Sequence, residues 1–389
     1  MTKTTNDNAD IEQSHLDWTK KQGCILTCGG KAESFYTAER GFPFVETDLP
    51  HYHLIKGDTH SIFKDFKSSK LPCSLVAGAW NRPLFTGGWK HSSDKEEHVY
   101  NIQTNNLFID FRVPRSRELV LTSKATSLDE LSPYELRLYA RQHIFAGYTV
   151  FDNENDRPVA TRHHCIDWNF VGVSRARPNK WWIEVNDDDN SAWKEHAYAT
   201  DDNGQHYYFE KWERLEGGSS EPRLALRIFP SQKRKSSSMS NGVEDKEEEN
   251  KGRVQGDDGI FVLVGDHFNY VTSRKFSGSE RSYNEKTSLV DLVDEAVANG
   301  DLITARSYLS IEGGHGRVSN KWKLDCAIPS WNEGKDIQSV GDGYLVVTGT
   351  DIASCSVVWK GYNWDVFDCS FESVDELKGF LAKSTTNEE

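Results

Sequence analysis

A chain of 389 residues, 37% hydrophobic and 27% charged, is long enough for two to three domains with full cores and reads as a globular protein carrying some polar sequence. Its formal charge of −14 argues against general nucleic-acid binding, which needs a basic footprint, and no apolar run reaches the roughly 20 residues that span a membrane. Cys24, Cys28, Cys73, Cys165, Cys326, Cys355 and Cys369 are odd in number, scattered and free of Cys-x-x-Cys, the usage of reduced thiols inside a cell, so a cytoplasmic location is expected.

The opening MTKTTNDNADIEQSH lacks the apolar core of a secretory signal, and residues 1–17 are expected to be a disordered tail. Residues 18–70 read as an N-terminal extension or cap. Within them His51, His53 and His60 bring a His-x-His pair, which lies on one face of a strand as metal ligands do. A firm third ligand is missing nearby, so no metal site is expected.

Residues 71–230 read as a first barrel. Gly78–Pro114 opens it with Gly-x-Trp, a Gly-Gly turn and two β-rich runs, His98–Thr104 and Leu107–Val113. In the second run Leu107, Ile109, Phe111 and Val113 alternate with Phe108, Asp110 and Arg112, so the charged pair shares a strand face with an aromatic ring. Whether that face lines a lumen or meets solvent is open from sequence. A helix follows, with Ser132 as cap, Pro133 in the first turn, Glu135 completing a capping box, and Leu136, Tyr139, Ala140 and His143 as an inner stripe running to Gly147. Pro158–Phe170 places His164 and Trp168 on one face and His163 and Asp167 on the other, so one histidine of the two should enter a lumen. Short strands follow at Lys180–Val185, Trp193–Ala199, Gln205–Leu215 and Leu224–Phe229, separated by Asp- and Gly-rich turns.

Ser231–Asp258 is a charged, Ser-rich linker or loop in which Lys233–Lys235 forms a short basic run. Residues 259–380 read as a second barrel-like β domain, with a helix over Thr287–Asn299, strands at ITARSYLS and KWKLDCAIP around a Gly313–Gly316 turn, a hairpin, and a last helix from Ser373. Residues 381–389 are a tail. The expected class is mainly β: two antiparallel lipocalin-like barrels, each with an inserted or flanking helix.

Gly78–Trp80 looks like the opening of lipocalin and fatty-acid-binding barrels. With the short Trp-rich strands, the inserted helices, the charged loop between halves and the stretch VYNIQTNNLFIDFRVPRSR, residues 78–375 resemble the two-barrel, lipocalin-like Hri family of fungi and its bacterial relatives. The resemblance implies calycin-like barrels with internal ligand cavities, and no specific chemistry.

No phosphate loop, nucleophile elbow or zinc-protease motif is present. The expected function is binding of a small apolar or amphipathic ligand, carboxylate-bearing in one version, with Arg112 and Arg141 gripping the head group, Asp110 beside them and Trp80, Trp168 and Trp212 as the wall. On that reading Arg112→Ala empties the site and spares the fold. The alternative is a cofactor-independent isomerase, lyase or hydrolase using His163 or His164 as base, oriented by Asp167 or Glu210. A third version is an interaction scaffold with protein partners at the 231–258 loop. No cofactor is expected, haem on a single lumen histidine being the one candidate, and neither nucleic acid nor membrane insertion is expected.

Overall fold

A computed structural model describes residues 76–87, 91–94, 97–105, 107–115, 124–168, 179–185, 191–198, 204, 206, 208–219, 221–228, 258–275, 289–341 and 343–382. The expectations for 1–17, 18–70, most of the 231–258 loop with its basic run, and most of the C-terminal tail lie outside these residues. The class is mainly β, with a closed eight-strand antiparallel barrel and a second antiparallel sheet.

The barrel is built from β1 (Gly78–Gly87), β3 (Glu97–Gln103), β4 (Leu107–Pro114), β5 (His143–Glu154), β6 (Arg157–Asp167), β7 (Asn179–Val185), β8 (Ala192–Ala197) and β9 (Tyr208–Arg214), with β2 (His91–Ser93) as a short ribbon on β1. Each strand pairs with its successor, and β1 pairs with both β3 and β9, which closes the sheet. Closure leaves two faces. Trp80, Val99, Phe151, Ala160, Trp181, Ile183, Trp193 and Trp212, drawn from strands all round the ring, pack into one cluster that only a lumen can assemble. Ala79, Ile102, Leu107, Ile109, Phe111, Ile144, Ala146 and Tyr148 occupy the outer wall.

That apolar wall is covered by the second sheet, ordered β14 (Lys323–Ile328), β13 (Glu312–Arg317), β12 (His267–Thr272), β11 (Gly259–Val264), β10 (Arg223–Ile228), β17 (Tyr362–Cys369), β16 (Ser356–Trp359) and β15 (Val346–Thr348). Among the described residues no pairing joins β14 to β15, the two ends of this sheet. Ala225, Ile260, Val262, Val264 and Val271 face the barrel. Leu224, Leu226, Phe261, Leu263, Trp359 and Trp364 face away, into a core with α4 (Ile337–Val340) and α5 (Val374–Ala382). Burial on both faces is why β11 reads GIFVLV without alternation. The strand at Leu224–Phe229, placed with the first barrel from sequence, is β10 and lies in the middle of the second sheet.

α1 (Pro133–Tyr139) has the expected capping box between Ser132 and Glu135. It ends earlier than its stripe suggests: Ala140 is the C-cap, and His143 and Gly147 belong to β5. α2 (Leu289–Ala298) matches the expected amphipathic helix. ITARSY, expected as strand, is α3 (Leu302–Tyr308), capped by the Asp301 carboxylate accepting from the Thr304 amide. Gly313–Gly316, expected as a turn, lies within β13, where a Cβ at Gly313 would sit 2.5 Å from Ile144 Cδ1 on the barrel wall. The glycines there permit close approach rather than reversal.

Candidate functional site

The lumen face carries charge in its middle and indole at one end. On β4, Phe108, Asp110 and Arg112 alternate with residues of the outer core, and the cross-lumen contacts of Asp110 with Arg162 (β6) and of Arg112 with Glu210 (β9) fix them inside. The Arg112 fork donates to both Asp110 oxygens, Nε to Oδ1 at 2.6 Å and Nη2 to Oδ2 at 2.8 Å. Burial pushes the Asp110 carboxyl up, but the charge and fork of Arg112, helped by Arg162 and Arg82, outweigh it and hold it below its ordinary value. Burial likewise opposes the Arg112 charge, and Asp110 with Glu210 more than restores it. Arg82 links two further carboxylates, donating to Glu97 Oε2 at 2.5 Å and to Glu210 Oε1 at 2.9 Å. Arg162 lies over the rings of Phe108 and Trp181 and reaches Asp110 Oδ2 at 3.5 Å.

The bulge in β6 decides the histidines. Ala146 pairs with Ile166 but Gly147 pairs with His164, so Cys165 is the extra residue. The bulge breaks the two-residue period and brings His164 and Asp167 to the same face, against expectation, with His164 Nδ1 2.6 Å from Asp167 Oδ2. His163 faces outward, stacked on Tyr148 with ring centroids 4.6 Å apart. Trp168 is also outside, its indole N–H donating to the Ala140 carbonyl in the core beneath the second sheet. Arg141 belongs to a helix junction, where it contacts Asp294 of α2 and the Arg137 carbonyl. Of the expected grip and wall, then, Asp110, Arg112, Trp80 and Trp212 line the lumen while Arg141 and Trp168 do not. Of the expected acid–base set, His164, Asp167 and Glu210 line it and His163 does not.

At the indole end Trp80 donates to the Val76 carbonyl and meets Trp193 edge-on, and Trp193 stacks on Trp212. This end is shut. Traces of exposure persist instead along Tyr208, Phe85, Glu210, Arg112, Phe145, His164 and Asp167, at 3% for Glu210 and 5–6% for the others. Successive members of that run touch by stacking, ion pairing, cation–π contact or register, so they form one continuous strip.

Sequence reasoning missed Arg82, Glu97, Arg162, Glu195 and Tyr208, and placed His143 on the helix rather than on β5. Alternation carried a signal for most of them: Arg82 is two residues from Trp80, Glu195 two from Trp193, and Arg162 two from His164. Glu195 lies directly opposite Glu210 in the β8–β9 register, and its Oε1 accepts from the Tyr208 hydroxyl at 2.7 Å. Burial, then the Glu210 charge, pushes the Glu195 carboxyl up to about 8, so it holds its proton at neutral pH. His143 is driven the other way, down to about 3, chiefly by burial, with Arg112 adding to the effect and Asp167 opposing it. Several buried polar atoms of the lumen have no hydrogen-bond partner among the described residues: Glu195 Oε2, Glu210 Oε2, Arg82 Nε, Arg162 Nε, both amide atoms of Asn101, and the indole nitrogens of Trp181, Trp193 and Trp212.

Compared with protein families, curated proteins and solved structures, the chain matches none. The site therefore rests on geometry. Among the described residues no group of three or more His, Cys, Asp or Glu side chains is arranged to hold a metal, and no helix is long and apolar enough to cross a membrane. Two clefts border the second sheet, the first of them also reaching the barrel at Tyr100. One of about 840 Å³ is lined by Tyr100, His267, His315 and Asp325, and one of about 550 Å³ by Tyr139, Lys275, Trp331 and Lys360.

Proposed function

We propose that the protein binds a small amphipathic ligand in the barrel lumen, the ligand entering at the strip from Tyr208 to Asp167 with its apolar part toward the tryptophans. The observation that carries this is the set of buried lumen atoms without hydrogen-bond partners among the described residues, facing aromatic walls. A buried polar group left unmatched costs about 1–3 kcal/mol, and a ligand offering complementary groups recovers part of that cost. Aromatic walls supply the apolar contact, as in the calycin-like barrels the sequence resembles.

The head group differs from the one first expected. Arg112 and Arg82 are held by internal carboxylates, so neither is free to grip a ligand carboxylate without breaking an ion pair inside the lumen. The test is native mass spectrometry of protein purified from its source, followed by extraction. A bound small molecule of defined mass is expected. A homogeneous, ligand-free protein whose tryptophan emission does not respond to amphipathic probes would overturn the proposal.

A second reading has its own support. His164 is oriented by Asp167 at 2.6 Å, and Glu195 on another strand of the same lumen holds a proton at neutral pH. An oriented imidazole with a neutral carboxylic acid is an acid–base set suited to isomerisation or elimination. Turnover of a bound extract, lost in His164→Ala while binding is kept, would favour this reading.

A further inference from the structure

The charges inside the barrel can be matched by contact. Arg82 takes Glu97 and Glu210; Arg112 takes Asp110 and approaches Glu210; Arg162 approaches Asp110; His164 takes Asp167. The guanidinium groups are thereby balanced by Glu97, Asp110 and Glu210. Glu195 is left over, and its one hydrogen-bond partner among the described residues is the Tyr208 hydroxyl. It is 3% exposed, and its Oε2, like that of Glu210 directly opposite, has no hydrogen-bond partner among the described residues. Next to this carboxyl pair on the lumen face, Phe85 pairs in register with Glu210 and stacks on Tyr208 at 5.9 Å.

We propose that the lumen selects a ligand carrying a protonated amine, which the free oxygens of Glu195 and Glu210 hold beside Phe85 and Tyr208. This inference rests on the lumen-binding proposal and names the ligand class for the same site. The charge balance decides it. An anion would add uncompensated negative charge to a buried cluster that already holds one carboxyl in excess. A neutral ligand leaves Glu195 protonated. An ammonium group supplies the missing positive charge, satisfies both free acceptors with its N–H donors, and gains cation–π attraction from the adjacent rings.

One consequence separates an amine from other ligands. Glu195 faces Glu210 and Tyr208 from β9, Arg162 from β6 and Arg112 from β4, and burial with Glu210 keeps it protonated in the empty lumen near pH 7. Binding a cation there ionises it, so the proton of Glu195 leaves to solvent as the ammonium enters.

The experiment is calorimetric titration of the full chain with 2-phenylethylamine, 2-phenylethanol and 3-phenylpropionate at pH 7, each in two buffers of different ionisation heat. The amine is expected to bind roughly tenfold tighter than the alcohol, with release of about one proton. Glu195→Gln should abolish both the preference and the proton release while the alcohol still binds. That variant replaces a carboxyl already held neutral, so it should fold, and circular dichroism checks this. If the alcohol or the carboxylate binds as tightly as the amine, the cation inference fails and the lumen-binding proposal stands. If none of the three binds, the lumen-binding proposal fails and takes this inference with it.

Discussion

Arg112 illustrates how far residue-level reading extends. Strand alternation placed Asp110 and Arg112 on one face, and the structure puts that face in the lumen. Residues two apart on one strand face touch when one side chain is long enough to fold back, as Arg112 does onto Asp110. The other charges of the cluster, Arg82, Glu97, Glu210 and Arg162, come from other strands, Arg82 and its partner Glu210 lying 128 residues apart, and no local pattern specifies such pairing. The fork changes the expectation for Arg112→Ala. Removing it strands the fully buried Asp110 carboxylate, so the variant should lose about 3–5 kcal/mol of stability rather than ligand affinity alone. The double variant Asp110→Leu/Arg112→Met removes both charges and should be much less destabilised. Urea unfolding of the two singles and the double measures this, and additive losses would show that the pair is not coupled.

At the scale of elements, legibility followed the strength of local chemistry. The capping box of α1 is contiguous and was read directly. α3 was taken for a strand because Ile303 and Thr304 are β-branched and its seven residues barely complete two turns, although Asp301 offered a cap. The β6 bulge had a fainter signal in the glycine opposite it. A Cβ at Gly147 would lie 1.8 Å from the His163 carbonyl oxygen, so only glycine lets β5 and β6 close on the bulge that aligns His164 with Asp167. Gly147→Ala should therefore cost about 2 kcal/mol or more and lower the melting temperature by roughly 4 °C or more. Gly379→Ala is the matched control. Gly379 lies inside α5 with nothing within 4 Å of a new Cβ, so alanine there should stabilise by about 0.5–1 kcal/mol. Equal melting temperatures for the two variants would refute the role given to the bulge.

For the molecule as a whole, the sheet-on-barrel arrangement was only half legible: alternation and turns announce strands, but the pairing of β10 with β17 across a long stretch of chain does not appear in any window of sequence. The seam this creates contains a directional chain of polar groups. Asn269 donates to the Tyr100 and Ile109 carbonyls of the barrel, so its oxygen accepts from His315 Nδ1, which must then carry the hydrogen. His267 Nε2 donates to the Glu216 carbonyl, so in a neutral ring its Nδ1 has no hydrogen, and the 3.4 Å approach to His315 Nε2 is a stacked-ring contact rather than a hydrogen bond. Burial, as the largest cause, lowers both imidazoles below their ordinary value, His315 well below, and His143 in the lumen behaves alike. As pH falls through about 6.5 the unfolded chain takes up protons at these histidines and the folded chain does not, so stability drops on the acid side. Glu195 and Asp258 act in the opposite sense. Burial raises both, so each lowers stability as pH rises from the ordinary carboxylate range toward its folded value, which for Glu195 is about 8. Below pH 6.5 the histidines and the two carboxyls act against each other; above 6.5 the histidines are silent and Glu195 still declines until about pH 8. Stability should therefore fall by about 2 kcal/mol from pH 6.5 to pH 8, a fall that Glu195→Gln should largely remove. Urea unfolding from pH 5 to 8.5 measures the curve; stability that climbs from pH 6.5 to 8 in the wild type would show that Glu195 is ionised in the fold, and the protonated lumen carboxyl would have to be abandoned.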